Sequence, residues 1–258
     1  MTLIRVFSDL DAISHEAASL FIKLAKESVK AQTRFVAALS GGSTPRRLYS
    51  LLGSLPYRDQ VDWPRVHIFW VDERCVPKDH EESNFKVVFD RLLSKVPIPE
   101  TNIHRIKGEE LSEHGARDYE AHLKEFFGLK GFPIFDLVLL GMGEDGHTAS
   151  LFPGSKWLND TKRLVIPVHL KNPNLDRVTL TLPVLNHARN ILFLVTGHSK
   201  AKVLAEVMTV KSHRHPYPAA RIHPIHGRLL WFIDPESSSK LRSDNWGMGR
   251  GEPHQSTA

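Results

Sequence analysis

The chain has 258 residues, 41% of them hydrophobic and 24% charged, the balance of an ordinary globular protein with material for a sizeable core. Collagen, coiled coil and wholesale disorder are excluded, and no apolar run is long enough for a membrane span. The net charge of +5 is a modest field that draws anions such as phosphorylated metabolites, while the scattered basic residues form no nucleic-acid motif.

Met1 to Leu10 lacks the basic start and apolar core of a secretory signal. With Cys75 the only cysteine, no intrachain disulfide forms, and a reducing, cytoplasmic setting is expected. Residues 12 to 30 carry Ile13, Ala17, Leu20, Phe21, Leu24 and Val29 at helical spacing, with Asp11 available as a cap. The spacing predicts an amphipathic surface helix. Phe35 to Leu39 then reads as a strand running into Ser40-Gly41-Gly42-Ser43, and Leu48, Leu51, Leu52 and Leu55 form a second helical stripe. Thr44 is the expected N-cap and Pro45 the first helical residue, where a missing N–H costs nothing.

The same grammar recurs. Val66 to Val71 is a strand ending in Asp72-Glu73-Arg74, Phe135 to Leu140 one ending in Gly141-Met142-Gly143, and Ile191 to Val195 one ending in Thr196-Gly197-His198. Leu164 to Val168 and Leu229 to Ile233 are further strand candidates. Near-continuous apolar strands alternating with helices predict an α/β fold: an open, mainly parallel sheet with helices on both faces. Residues 1–242 read as one α/β domain, and the polar, glycine-rich 243–258 as a flexible tail.

In such a sheet a ligand sits outside the carboxyl ends of the strands, so these loops should converge on one side. Gly41, Gly42, Ser43 and Thr44 offer backbone N–H groups, hydroxyls and a helix N-terminus, a combination that suits a phosphate. The Gly-Lys-Ser/Thr ending of a P-loop is missing, and a turn needing glycine for geometry alone accounts for the same residues. Gly141-Met142-Gly143-Glu144-Asp145-Gly146 fits the dinucleotide fingerprint. Pro153-Gly154 leaves only a turn or two of helix after it, however, and no acid stands ready for a ribose hydroxyl.

His147, behind Asp145-Gly146 on a strand-end turn, is a candidate general base, since an ordinary imidazole titrates near pH ~6.5. Asp145 either orients its ring or only stabilises the turn. His213, His215, His223 and His226 cluster late, but prolines interrupt them and no metal-ligand spacing emerges. Arg74, Arg177 and Lys200 each read alone as solvated charges; together, beside a glycine-serine loop, they favour an anionic substrate. Cys75, next to Arg74, reads as incidental more readily than as a nucleophile.

The ordered blocks Ser40-Gly41-Gly42-Ser43-Thr44-Pro45, Val71-Asp72-Glu73-Arg74 with Asn84, and Gly143 to Gly154 resemble the 6-phosphogluconolactonases. The likeness continues through Arg177 to Thr181, Thr196-Gly197 with Lys200-Ala201, and Pro218-Ala219-Ala220 before Trp231, spanning roughly residues 10 to 240. The resemblance implies a Rossmann-like fold and cofactor-free hydrolysis of 6-phosphoglucono-1,5-lactone. It implies a general base at His147, and substrate-gripping positions at Gly42, Ser43, Thr44, Arg74, Arg177 and Lys200. Neither a nucleic-acid nor a membrane partner is expected, and the chain should be a monomer or weak homodimer. Arg221-Ile222 and the histidine-rich stretch His213 to His226 depart from the family pattern.

Two rivals share parts of this pattern. The glucosamine-6-phosphate deaminases would follow the Asp-Gly-His turn with an Ala-Phe-Asn-like segment, where this chain has Thr148-Ala149-Ser150-Leu151-Phe152-Pro153. A non-catalytic sugar-phosphate sensor would need a helix-turn-helix segment, and only about ten residues precede the first helical stripe.

Overall fold

A computed structural model describes residues 2–128, 131–170, 176–209 and 216–241; the expected tail at 243–258 and the histidines His213 and His215 lie outside them. Its strands are β1 (Thr2–Val6), β2 (Phe35–Leu39), β3 (Val66–Trp70), β4 (Asp72–Arg74), β5 (Ile103–His104), β6 (Leu137–Leu140), β7 (Val165–Val168), β8 (Arg177–Leu180), β9 (Asn190–Val195) and β10 (Arg228–Ile233). The helices are α1 (Leu10–Gln32), α2 (Arg46–Leu52), α3 (Asn84–Arg91), α4 (Ser112–Phe127), α5 (Leu182–Asn186), α6 (Ala201–Thr209) and α7 (Pro235–Ser238). None of them is long and apolar enough to cross a membrane.

Seven strands form one sheet in the order β1-β10-β9-β6-β2-β3-β5, every pairing parallel. Every residue of β2, β6 and β9 is buried. Because successive side chains point to opposite faces, both faces of the sheet are covered, as the unbroken apolar runs imply. The coverage is the expected α/β arrangement. Inside it, Phe193 and Trp231 sit opposite one another on β9 and β10 with rings stacked 3.8 Å apart, each contributing about 1.5–3 kcal/mol by burial. The sheet has a switch point between neighbours β2 and β6: from β2 the chain proceeds to β3 on one side, from β6 to β9 on the other.

The helix starts differ from those the sequence predicts. Asp9, not Asp11, caps α1 by accepting the Ala12 N–H at 2.8 Å; Asp11 lies in the first turn. Pro45 rather than Thr44 occupies the cap of α2, which has no side-chain cap bond, so the loop before it is left free for other contacts. The expected strand Val66 to Val71 stops at Trp70 because the chain changes sheets: Asp72–Arg74 forms β4, antiparallel to β8, and β8 pairs antiparallel with β7. Leu164 to Val168 is therefore part of a separate three-stranded sheet that stands beside the carboxyl ends of the large one.

Candidate active site

A cavity of about 250 Å³ opens at the switch point, lined by Ser40 to Pro45 after β2, Gly141 to Gly143 and His147 after β6, Asp72 and Arg74 on β4, Arg177 on β8, and Asn84, Ala149 and Lys200. The four strand-end loops that the sequence reading singles out thus converge on one edge. All the expected site residues line the cavity except Asp145, which touches it through His147.

The loop after β2 is held from below: the Ser40 hydroxyl donates to the Leu139 carbonyl at 2.6 Å, and the buried Tyr49 hydroxyl donates to the Ser40 carbonyl at 2.5 Å. Among the described residues none accepts the backbone N–H of Gly41, Gly42, Ser43 or Thr44. All four residues line the cavity, and a run of backbone N–H groups is the kind of donor set an anion takes, more through their number than through a helix dipole, since α2 has seven residues. Gly41 is required by close approach: a Cβ there would lie 1.7 Å from the Asn84 side-chain oxygen.

The turn after β6 is braced internally. Gly143 N–H donates to the His147 carbonyl at 2.8 Å, Gly146 N–H to the Gly143 carbonyl at 3.1 Å, and the Thr148 hydroxyl to the Gly141 carbonyl at 2.8 Å. No helix opens at this turn. Thr148 bridges instead to Leu151, so the geometry that would seat a dinucleotide pyrophosphate is missing. A Cβ at Gly143 would lie 2.1 Å from the His147 ring, so glycine lets the imidazole lie against the backbone. Ala149, on the cavity wall, holds a left-handed φ of 53°, a strained conformation for a residue with a side chain.

Asp145 Oδ1 lies 2.6 Å from His147 Nδ1 and accepts the His147 backbone N–H at 3.1 Å. Burial opposes ionisation of Asp145, but the His147 N–H and ring together hold its carboxyl below the usual value, so it is an acceptor. An acceptor at that distance fixes the proton on Nδ1 and leaves Nε2 as the ring's lone-pair nitrogen. Asp145 thus contacts both the His147 ring and the backbone of the turn. Phe152 supports the ring from the side, with centroids 4.7 Å apart, and the Arg177 guanidinium lies 5.9 Å over the same phenyl ring.

Arg74 and Arg177 are directly opposite in the β4–β8 ladder. Like charges so placed repel. Burial, and then the Arg74 charge, hold the Arg177 guanidinium below its ordinary value, and both arginines keep a buried Nε–H without a protein acceptor. Arg74 makes no ion pair with its neighbours Asp72 and Glu73; one of its terminal nitrogens donates to the Glu82 carbonyl. Lys200 ends the turn before α6 rather than lying inside that helix, and its Nζ is 3.8 Å from Glu144. A pair of facing guanidinium groups beside free backbone donors is suited to grip an oxyanion from several sides.

Asp72 and Asn84 enter the site without having been assigned a role from sequence. Asp72 is buried, accepting from the Ser150 hydroxyl at 2.6 Å and from Asn84 Nδ2 at 3.2 Å, and it can receive a ligand hydroxyl. Burial and the carboxylates of Asp176, Glu73 and Glu113 push the Cys75 thiol up to about 12, which removes it as a nucleophile. Arg221 ties the segment between α6 and β10 to the Leu158 carbonyl and Asn159. Among the described residues no three His, Cys, Asp or Glu side chains are grouped to hold a metal.

Comparison with known proteins places this arrangement. The chain is 41% identical over 227 residues to 6-phosphogluconolactonase 3, chloroplastic, of Arabidopsis thaliana, covering 84% of this chain and 69% of that one. It is 42% identical over 208 residues to the 6-phosphogluconolactonase of a Synechocystis strain, covering 80% and 84%. The structure of the Trypanosoma brucei 6-phosphogluconolactonase superposes with a TM-score of 0.83 at 28% identity, over 94% of this chain and 99% of that one. The model of the family described as glucosamine-6-phosphate isomerases/6-phosphogluconolactonase matches residues 8–231, and the chain belongs to that family.

Proposed function

We propose that the protein hydrolyses 6-phosphoglucono-1,5-lactone to 6-phosphogluconate, with His147 as general base. The observation that carries this reading is the His147–Asp145 contact of 2.6 Å on the wall of a cavity that also holds Arg74, Arg177 and Lys200. A lactone carbonyl is already electrophilic, so catalysis consists of placing a water against it, removing a proton and stabilising the oxyanion. His147 Nε2 takes the proton from water as its oxygen bonds to the carbonyl carbon, while Asp145 stabilises the imidazolium that results. The tetrahedral intermediate then collapses: the bond to the ring oxygen breaks and the imidazolium returns a proton to that oxygen. The N–H groups of Gly41 to Thr44 and the nearby cations are the available donors for anionic oxygens, and Asp72 is the available acceptor for a sugar hydroxyl. No step calls for a cofactor, and a chain with one cysteine fits a reducing compartment such as the cytosol.

The reading also rests on the segment after His147. Ser150 reaches back to Asp72, and Phe152 supports the base, which gives the Thr148 to Pro153 sequence a job in this site. A pH-stat assay with fresh lactone tests the proposal, because only acceleration over spontaneous opening counts. Acid release above background is expected. No acceleration, together with ammonia release from glucosamine 6-phosphate, would assign the other activity named for the family.

A further inference from the structure

The reaction as described makes no use of Glu73, the most deeply engaged carboxylate in the neighbourhood. It is buried and is not part of the cavity lining. Its two oxygens accept from four donors: Oε1 from the Arg74 N–H at 2.8 Å and the Asn84 N–H at 2.7 Å, Oε2 from the Phe85 N–H at 2.7 Å and the Ser83 hydroxyl at 3.2 Å. Four donors fill the whole acceptor capacity of a carboxylate.

These bonds join two places far apart along the loop. Arg74 ends β4, Asn84 begins α3, and the segment between them runs over the surface with most of its residues exposed or half-exposed. Both Arg74 and Asn84 line the cavity, and Arg74 also donates to the Glu82 carbonyl at the far end of the same segment. We propose that Glu73 is a positioning residue for substrate binding: its carboxylate staples β4 to the start of α3, and thereby sets where Arg74 and Asn84 stand against the cavity.

Stability alone does not call for a carboxylate at this position. Burial pushes the Glu73 carboxyl up to about 7, against the pull of the Asn84, Phe85 and Arg74 N–H groups, so the ionised group is costly to keep there. Glutamine has the same shape and is cheaper to bury, but its amide nitrogen faces N–H donors and can accept from none of them. Only an ionised carboxylate takes all four bonds. Gly108 lies against the same stretch, where a Cβ would come within 2.3 Å of the Arg74 carbonyl and 3.3 Å of the Glu73 side chain, so only glycine lets the two segments pack this closely.

The inference rests on the proposed lactonase reading for its kinetic test, and a binding test separates the two. With E73Q, KM for the phosphorylated lactone should rise about tenfold, the loss of roughly one charge-assisted contact, while kcat and its acidic limb stay within about twofold of the unaltered enzyme. In an R74A background the same change should cost much less, because its effect travels largely through Arg74. Inorganic phosphate, titrated by calorimetry as a probe, should bind about tenfold more weakly to E73Q whether or not the lactone proves to be the substrate. Unchanged KM and phosphate affinity in a folded E73Q, or fully multiplicative losses with R74A, would overturn the proposal. If E73Q does not fold, E73D, which keeps the charge but leaves the carboxylate one methylene short of α3, decides: weaker phosphate binding supports the staple and unchanged binding overturns it.

Discussion

The two sheets meet at the cavity but bring different things to it. The seven-stranded sheet contributes turns: after β6 the chain folds back on itself through bonds among Gly141, Gly143, Gly146, His147 and Thr148, and the imidazole is fixed by backbone on one side and Asp145 on the other. The three-stranded sheet contributes charge, with Arg74 and Arg177 facing each other across a short antiparallel ladder where repulsion works against them. A base must hold one geometry through a reaction, so it is built where the backbone is over-determined. A grip for an anion gains from unneutralised charge, and this ladder keeps it against burial, which holds Arg177 low and leaves both Nε–H groups without a protein acceptor. Phe152 touches both halves, at the His147 ring and under the Arg177 guanidinium, and the Ser150 hydroxyl bonded to Asp72 is a second link between them.

That division predicts that binding and chemistry separate on mutation. The largest effect belongs to the turn: His147→Ala should lower kcat by about 10²–10⁴-fold and leave affinity for 6-phosphogluconate nearly intact, as steady-state kinetics and product titration would show. Next come the cations, Arg74 and Arg177 of the small sheet and Lys200 from the turn after β9. Replacing Arg74, Arg177 or Lys200 by alanine removes a contact worth about 1.5–3 kcal/mol, a rise of roughly 10- to 150-fold in KM that fades with an unphosphorylated lactone. Equal losses on both substrates would break the assignment of these cations to phosphate. Asp145→Asn should reduce kcat by less than His147→Ala and leave KM alone, since the amide still meets the ring but no longer compensates an imidazolium. Asp145 also has a sign in stability: its carboxyl is held low in the fold, so its contribution is present above the ordinary carboxylate range and is lost as pH falls through the lowered value. Acid unfolding of the asparagine variant should lose that part of the slope. The smallest effect is expected from chelation: with His147 activating water alone, activity should survive EDTA, and loss restored by zinc would overturn the metal-free mechanism.

How far these features could be read from the chain depends on what burial does to residue types. β2, β6 and β9 are unbroken apolar runs closed by glycine, so their order, their loops and the place of His147 were legible. β4 is three charged residues and β5 only the pair Ile103-His104, both too short to carry an apolar pattern, so the small sheet and the change of sheet at Val71 were not. Asp72 and Asn84 had no role in the sequence reading, because the partner of the Asp72 carboxylate, Ser150, lies 78 positions away. The three cations could be named but not paired: that Arg74 opposes Arg177 follows from the β4–β8 register alone. The cap of α1 slid from Asp11 to Asp9 for a local reason, since only Asp9 has the extended backbone a cap needs.

The central claim is that a histidine on the large sheet's turn takes the proton from water while the small sheet only binds. The pH–rate profile of the unaltered protein and of His147→Ala, each corrected for spontaneous lactone opening, tests it most directly. In the unaltered protein kcat should fall on the acidic side, because a protonated imidazole has no lone pair to receive a proton. In the alanine variant the residual rate should be lower by about 10²–10⁴-fold and should lack that limb. An alanine variant with near-normal kcat and the same acidic limb would contradict the account and move the search for the base to Asp145.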